Sequence, residues 1–326
     1  MKVKNILLFS DFGIDDMVAA AFAVFNEEVN VVGIVADYGN VSKEKALQNA
    51  AYLRDLTGLT EIPVFGGAGL PLTGDIPEFY PEIHGLSGLG PILNDVVVDV
   101  DFFENFDEIK RIIEQYENDI LIVNIGRLSS LATAFILYPN LLKQVSDIYI
   151  MGGAFFVPGN VTPVAEANIY GDPYAANIVL SHAPKKVYII PLDVTMSAIL
   201  TPALVDRLHE HFIETGNQFG QLLKPMIDYY YEFYQKQFAD ISGSPMHDLL
   251  TFWAIMEESA IEYIEAPVKV VVDKGVAFGQ TIGDFRKLSA EKKENYQVHY
   301  IAVKFDYRQF IETFYRVMTN PVERES

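Results

Sequence analysis

Short apolar runs alternate with helix-favouring segments through the first two thirds of the chain. Residues 6–9 form the first run, Asp11-Phe12-Gly13 interrupts it, and residues 15–25 then read as a helix. A second strand is expected at 29–35, followed by a helix over 42–56 that the Ser42 hydroxyl is placed to cap. Further strands are expected at 63–65, 120–124, 148–151 and 186–190, and further helices at 106–116, 128–137 and 172–180. The strand runs are continuously apolar, which suits strands buried on both faces. Parallel strands need long crossovers, and the intervening helices supply them. The expected fold is therefore α/β, an open, mostly parallel, Rossmann-like sheet with helices on both faces.

The last third reads differently. Helices fill 201–263, two strand-like runs at 268–272 and 298–303 suggest a small β-hairpin, and 307–318 reads as a closing helix. Gly275, Gly279 and Gly283 punctuate the stretch between the two runs. No linker rich in Ser, Pro or charge separates the halves, so one domain over 1–326 is expected. Residues 66–100, rich in Gly and Pro, read as a long loop of the kind that usually carries function.

Composition narrows the function. The chain has 24 Lys and Arg against 44 Asp and Glu, a formal charge of −20. That argues against nucleic acid as a partner, because affinity for it rests on cations that neutralise phosphates. With no cysteine, disulfides, thiolate metal sites and a catalytic thiol are excluded. The N-terminal apolar run is cut short by Asp11, too early for a signal-peptide core, and no uncharged apolar stretch reaches the length of a membrane span. A cytoplasmic location, without membrane partners, is the default expectation.

In open parallel sheets ligands bind beyond the carboxyl ends of the strands. The residues that follow the expected strands are Asp11, Asp15 and Asp16, then Asp37 and Asn40, then Ile125-Gly126, then Asn160, Glu166 and Asn168, then Asp193. This rim is rich in oxygen, and Arg127 is its one cation. Three carboxylates at a strand end and helix start repel one another. A cation would relieve them, and an all-oxygen donor set suits Ca²⁺ or Mg²⁺ rather than Zn²⁺. The competing reading is that Asp15 and Asp16 only complement the helix dipole.

Asp11-Phe12-Gly13-Ile14-Asp15-Asp16 resembles the Asp-x-Asp-Pro-Gly-x-Asp-Asp signature of the inosine-uridine-preferring nucleoside hydrolase family. The likeness continues in order along the chain. Gly39-Asn40 and Asn49 follow the second strand, and His84-Gly85-Leu86-Ser87-Gly88-Leu89 looks like the family's His-Gly-x-x-Gly-Leu loop. Gly126-Arg127-Leu128-Ser129-Ser130 resembles its Gly-Pro-Leu-Thr-Asn turn, and Met151-Gly152-Gly153 its Met-Gly-Gly. The run from Gly159 through Asn160 and Glu166 to Asn168 is the nearest match, and Met246-His247-Asp248 resembles the late His-Asp pair.

The resemblance implies hydrolysis of the N-glycosidic bond of ribonucleosides such as inosine or uridine, with one Ca²⁺. It assigns the ion to Asp11, Asp16, Asp248 and the carbonyl of Ile125. Asp11 would also act as base toward the water that the ion activates. Asp15, Asn40 and Asn168 would hold the 2′- and 3′-hydroxyls, and Asn160 and Glu166 the 5′-hydroxymethyl. His247 is the expected acid for the leaving base, since His has the pKa range for it. His84 is expected on the base side, and from the aromatic run 228–234 Tyr231, with Tyr234 and Phe238, is a candidate to stack on the base. His182, His209, His211 and His299 are expected to be structural. A homodimer or homotetramer is also implied.

Four positions depart from the family. Phe9 stands where an Asp is usual, Phe12 and Arg127 each replace a Pro, and Ala167 replaces a Phe. Every implied ligand remains, so an active hydrolase is expected, with a changed turn rigidity at Phe12 and an opened pocket wall at Ala167. The alternative is a catalytically impaired relative that binds ribose or a nucleoside. A related metal-dependent hydrolase acting on a similar compound is a third reading.

Overall fold

A computed structural model describes residues 3–100, 104–287 and 296–320. In chain order the elements are β1 (Lys4–Ser10), α1 (Ile14–Phe25), β2 (Val29–Ala36), α2 (Lys43–Thr57), β3 (Val64–Gly66), α3 (Pro81–His84), α4 (Ile109–Gln115), β4 (Ile120–Asn124), α5 (Ser129–Leu137) and β5 (Asp147–Met151). They continue with α6 (Ala167–Gly171), α7 (Pro173–His182), β6 (Tyr188–Ile190), α8 (Leu192–Thr195), β7 (Ile199–Leu200), α9 (Pro202–Glu214), α10 (Gln218–Gln237), β8 (Ser244–Pro245) and α11 (His247–Met256). The last are β9 (Ile261–Val270), β10 (Thr281–Gly283), β11 (Val298–Phe305) and α12 (Tyr307–Thr319).

The main sheet has nine strands in the order β10-β9-β11-β6-β5-β4-β1-β2-β3. From β3 to β6 every pairing is parallel. Strand order reverses at β1, which lies between β2 and β4, so a crevice opens beyond the ends of β1 and β4. The register there sets Phe9 opposite Asn124. Ser10-Asp11 and Ile125-Gly126 therefore leave the sheet side by side.

Alternate residues of β1 explain its unbroken apolar run. Ile6 and Leu8 enter one core, with α1, α9, α10, α11 and α12, and Leu7 and Phe9 enter the other, with α4, α5 and α7. Phe9 is completely buried there, so it serves packing on the face away from α1. Helix α1 is buried along its whole length, the two acids of its first turn included. Ser42 caps α2 as its position implied, by accepting from the Lys45 N–H. Phe12 has φ of 49°, a left-handed backbone that a proline ring, held near −65°, cannot adopt. The replacement therefore changes the turn's conformation as well as its rigidity.

The C-terminal strands do pair antiparallel, but they are not set apart. Strand β11 runs parallel to β6, and β9 is antiparallel to β11, so both extend the main sheet, with β10 at its edge. Strand β9 begins at Ile261, inside the stretch expected to be helical, because exposed Glu262 and Glu265 mask its apolar pattern. Strands β7 and β8 form a separate two-stranded antiparallel sheet that the sequence reading did not anticipate. No helix among the described residues is long and apolar enough to cross a membrane.

His299 is structural, as expected. Its Nδ1 accepts from the Val187 N–H at 3.0 Å and its Nε2 faces the Leu180 carbonyl at 2.7 Å. Burial pushes its pKa down, so the neutral ring serves as the connector. His299→Ala should therefore cost about 1–3 kcal/mol, because it strands a buried donor and a buried acceptor. Chemical denaturation would show a lower midpoint, while activity per folded molecule stays as in the wild type.

Candidate active site

The crevice collects acids from three places in the chain. Asp11 follows β1, Asp15 and Asp16 open α1, and Asp248 opens α11, and all four are buried. Carboxylate oxygens of Asp15, Asp16 and Asp248 lie within 4.8 Å of one another. Asp11 approaches from the strand end, where its Oδ2 accepts from the backbone N–H of Asn40. A Cβ on Gly39 would collide with the Asp11 carboxylate, so that loop can come so close only as glycine.

Burial raises the pKa of each of these carboxyls, and their mutual repulsion adds to it for three of them. Asp15 reaches about 7, through burial first and then the charge of Asp11. Asp16 and Asp248 are held well above the usual range by burial first, then by neighbouring charge, that of Asp11 foremost for Asp16 and that of Asp15 foremost for Asp248. Asp11 is raised by burial, and the Arg127 guanidinium opposes that rise. Asp15 Oδ1 is buried without any hydrogen-bond partner. Crowded, buried oxygens with an unsatisfied acceptor fit a hard divalent cation, which would return all of them to the charged form.

Asp16 also has a structural task. It accepts from the Ser10 hydroxyl at 2.6 Å and from the Gly13 N–H at 3.0 Å, which closes the first turn of α1. Capping and ligation are compatible, since a carboxylate has about four acceptor directions.

The sugar-binding candidates surround this group. Glu166 caps α6 and accepts from the N–H groups of Gly153, Asn168 and Ile169, at 2.8–3.1 Å. Asn168 donates to the carbonyls of Ile125 and Met151 at 2.9 and 3.2 Å, so it touches the expected metal carbonyl directly. Asn160 is exposed and accepts from the Ala167 N–H at the start of α6. Arg127 is 3% exposed and bridges the side-chain oxygens of Asn168 and Asn40 at 3.1 and 3.3 Å. It does not point away from the site.

His247 sits at the start of α11 with both ring nitrogens engaged. Nδ1 meets the Thr195 hydroxyl at 2.7 Å and Nε2 meets the Tyr234 hydroxyl at 2.8 Å. Tyr234 in turn approaches the Tyr230 hydroxyl at 3.5 Å, and Tyr230 donates to Asp15 Oδ2 at 3.3 Å. A chain of polar contacts thus joins His247 to the acid cluster. Burial lowers the pKa of His247 to about 4, so the resting ring is neutral.

His84 accepts at Nδ1 from the Ile14 N–H at 3.0 Å, and burial lowers its pKa to about 3. It therefore holds the start of α1 while its ring lies 5.6 Å from that of Tyr230. Tyr231 points elsewhere, with its hydroxyl on the Ile241 carbonyl at 3.0 Å. The tyrosines that reach the site are Tyr230 and Tyr234. Helical spacing could have selected them, because Leu223, Ile227, Tyr230 and Tyr234 form one buried stripe of α10. Asp37, also buried, reaches about 8 and accepts from the Ser130 hydroxyl and the Ala68 N–H, behind the first layer.

The inosine-uridine preferring nucleoside hydrolase model matches residues 6–312. Uridine nucleosidase 1 of Arabidopsis thaliana is 31% identical over 87% of this chain and 82% of that protein. The inosine-uridine preferring nucleoside hydrolase of Crithidia fasciculata is 30% identical over 94% of this chain and 95% of that protein. Among solved structures, a plant nucleoside hydrolase superposes with a TM-score of 0.88 at 29% identity, covering 98% of this chain and 99% of that one. A purine-preferring ribonucleoside hydrolase from Gardnerella vaginalis gives 0.85 at 28% identity, with 97% and 98% covered. The chain that gathers these carboxylates belongs to the inosine-uridine preferring nucleoside hydrolase family, enzymes that act on N-glycosyl compounds.

Proposed function

We propose that the chain hydrolyses the N-glycosidic bond of ribonucleosides to free base and ribose, with one Ca²⁺ at the acid cluster. The observation that carries this reading is the meeting of four buried carboxylates with a neutral, buried His247. Relatives named for uridine, for inosine and uridine, and for purine ribonucleosides support a ribonucleoside substrate.

Asp11, Asp16, Asp248 and the Ile125 carbonyl would hold the ion, and Asp15 would face the sugar. When bound, the ion would offset the carboxylate charges and make a water acidic enough to lose its proton near neutral pH. Asp11 would accept that proton, its carboxylate fixed by the Asn40 N–H, with the Arg127 guanidinium opposing the rise that burial gives its pKa. Asp15, Asn40 and Asn168 would bind the 2′- and 3′-hydroxyls, and Asn160 and Glu166 the 5′-hydroxymethyl. As the bond breaks, positive charge grows on the sugar ring, and the surrounding carboxylates favour it.

His247 would supply the proton for the leaving base. Each of its ring nitrogens faces a hydroxyl, and a hydroxyl can donate or accept. Either tautomer is then satisfied, and a proton can pass through Tyr234 without a buried imidazolium persisting. His84 would border the base side, with its ring beside that of Tyr230. The same reading carries one domain over 1–326, a homodimer or homotetramer, and a cytoplasmic location.

Incubation with inosine, uridine and adenosine tests the proposal through the appearance of free ribose. Release from at least one of them is expected. Binding of all three without any released sugar would favour the impaired, ribose- or nucleoside-binding alternative.

A further inference from the structure

We propose that Arg127 is a positioning residue that fixes which atoms of Asn40 and Asn168 face the sugar, and thereby makes the enzyme demand an intact ribose diol. The inference rests on the sugar site described above.

A guanidinium offers donors only. The two side-chain atoms that face Arg127, at 3.1 and 3.3 Å, must therefore be amide oxygens. For Asn168 the other end agrees, because its amide nitrogen faces the carbonyls of Ile125 and Met151, which accept only. Both hydrogens of that nitrogen are thereby used. Asn168 keeps one lone pair and can only accept from a ligand. Asn40 is the opposite case. Its oxygen is taken, and its amide nitrogen, without a hydrogen-bond partner among the described residues, can only donate.

Asp15 Oδ1, in the acid cluster, is a further buried acceptor without a partner. Donor and acceptors at one site are satisfied together by hydroxyl groups, which both give and take. A sugar that lacks one of them leaves a buried group unpaired, which is how a hydrogen-bonding site rejects such an analogue most strongly.

The chain makes room for this arrangement. Arg127 stands in the turn between β4 and α5, and a Cβ on Gly171 would collide with its Nε. It forms no salt bridge among the described residues, which could suggest a site for an anion. It also lines a cavity of about 230 Å³ with Tyr38, Tyr80, Tyr170 and Phe278. Asp75 and Glu78 line that same cavity, however, and Asp11 and Glu166 lie within the field of the guanidinium. That surrounding charge opposes an anion and makes Arg127 the counter-cation of the sugar site.

The test compares a ribonucleoside with its 2′-deoxy and 3′-deoxy counterparts in wild type, Arg127→Met, Arg127→Lys and Gly171→Ala. The ratio of kcat/KM for the ribonucleoside to that for the deoxynucleosides should fall about tenfold or more in Arg127→Met, mainly through KM for the ribonucleoside. Arg127→Lys should not restore it, since a single ammonium cannot fork to both oxygens. Gly171→Ala, which keeps the charge but displaces it, should move the ratio the same way and serves if Arg127→Met does not fold.

An unchanged ratio in a folded Arg127→Met variant, or full restoration by Lys, overturns the proposal. So does inhibition of wild type by inorganic phosphate that disappears in Arg127→Met. Calorimetric binding of ribose against 2-deoxyribose in the same proteins reads the preference without turnover. If wild type hydrolyses no nucleoside yet its preference for ribose is lost with Arg127, the hydrolase reading fails and this one stands.

Discussion

Asp11→Ala should lower turnover by about a thousandfold or more, because the substitution removes a base and a cation ligand together. Asp16 is already held by the Ser10 hydroxyl and the Gly13 N–H, and one oxygen of Asp15 is engaged by Tyr230. The position of Asp11 is set in advance by the Asn40 N–H and by the close approach of Gly39 and Gly126. A mobile water could not reproduce that placement. Asp11→Asn is the informative partner variant, since its side-chain oxygen can still accept from Asn40 while the charge is gone. It should be about as inactive as Asp11→Ala. Neither variant should lose stability in the absence of added metal, because each deletes one charge from a group of repelling carboxylates. Near-normal turnover in either, with steady-state kinetics on the best substrate of the panel, would assign the base to another residue.

The sequence reading was most successful where burial acts on both faces of an element. The runs in β1, β2, β4 and β5 are apolar throughout because alternate residues enter two different cores, so their pattern is unmistakable. It was weakest at the edge. Strand β9 is only partly covered on either face, with Glu262 exposed on one and Glu265 and Lys269 on the other, and β8 is too short to have a period. The first part of β9, ahead of the run expected at 268–272, and the whole of β8 could not be distinguished from the helical stretch around them.

The site divides in a similar way. The acids were legible because each follows a strand end or opens a helix, and those places are marked in the sequence by the same breaks that end the elements. Side-chain direction was not legible. Tyr231 and Tyr230 are neighbours, yet one turns to Ile241 and the other to Asp15, because adjacent residues on a helix diverge by about 100°. Arg127 was visible as a departure, but its two amide partners are separated by 87 and 41 residues, and only the fold brings them together.

Removal of divalent cations should abolish activity and destabilise the fold at the same time. Asp11, Asp15, Asp16 and Asp248 are buried, their carboxyls are raised by burial, and all but Asp11 gain further from one another's charge. A cation that binds only the folded form adds about 4 kcal/mol when its free concentration is a thousandfold above Kd. The melting temperature should therefore fall on the order of 10 °C after exhaustive chelation, and Ca²⁺ should restore both stability and turnover. The pH dependence of the stripped protein supplies an independent reading. Asp15 has a folded pKa of about 7 against 3.8 for an ordinary Asp, so in that window the folded state binds more protons than the unfolded one. Stability of the stripped protein should thus decline as pH rises from about 4 to 7, and the loaded protein, whose carboxylates are already charged and neutralised, should lack this decline. Full activity and an unchanged melting curve at a measured ion content far below one per chain would remove the cation from the site.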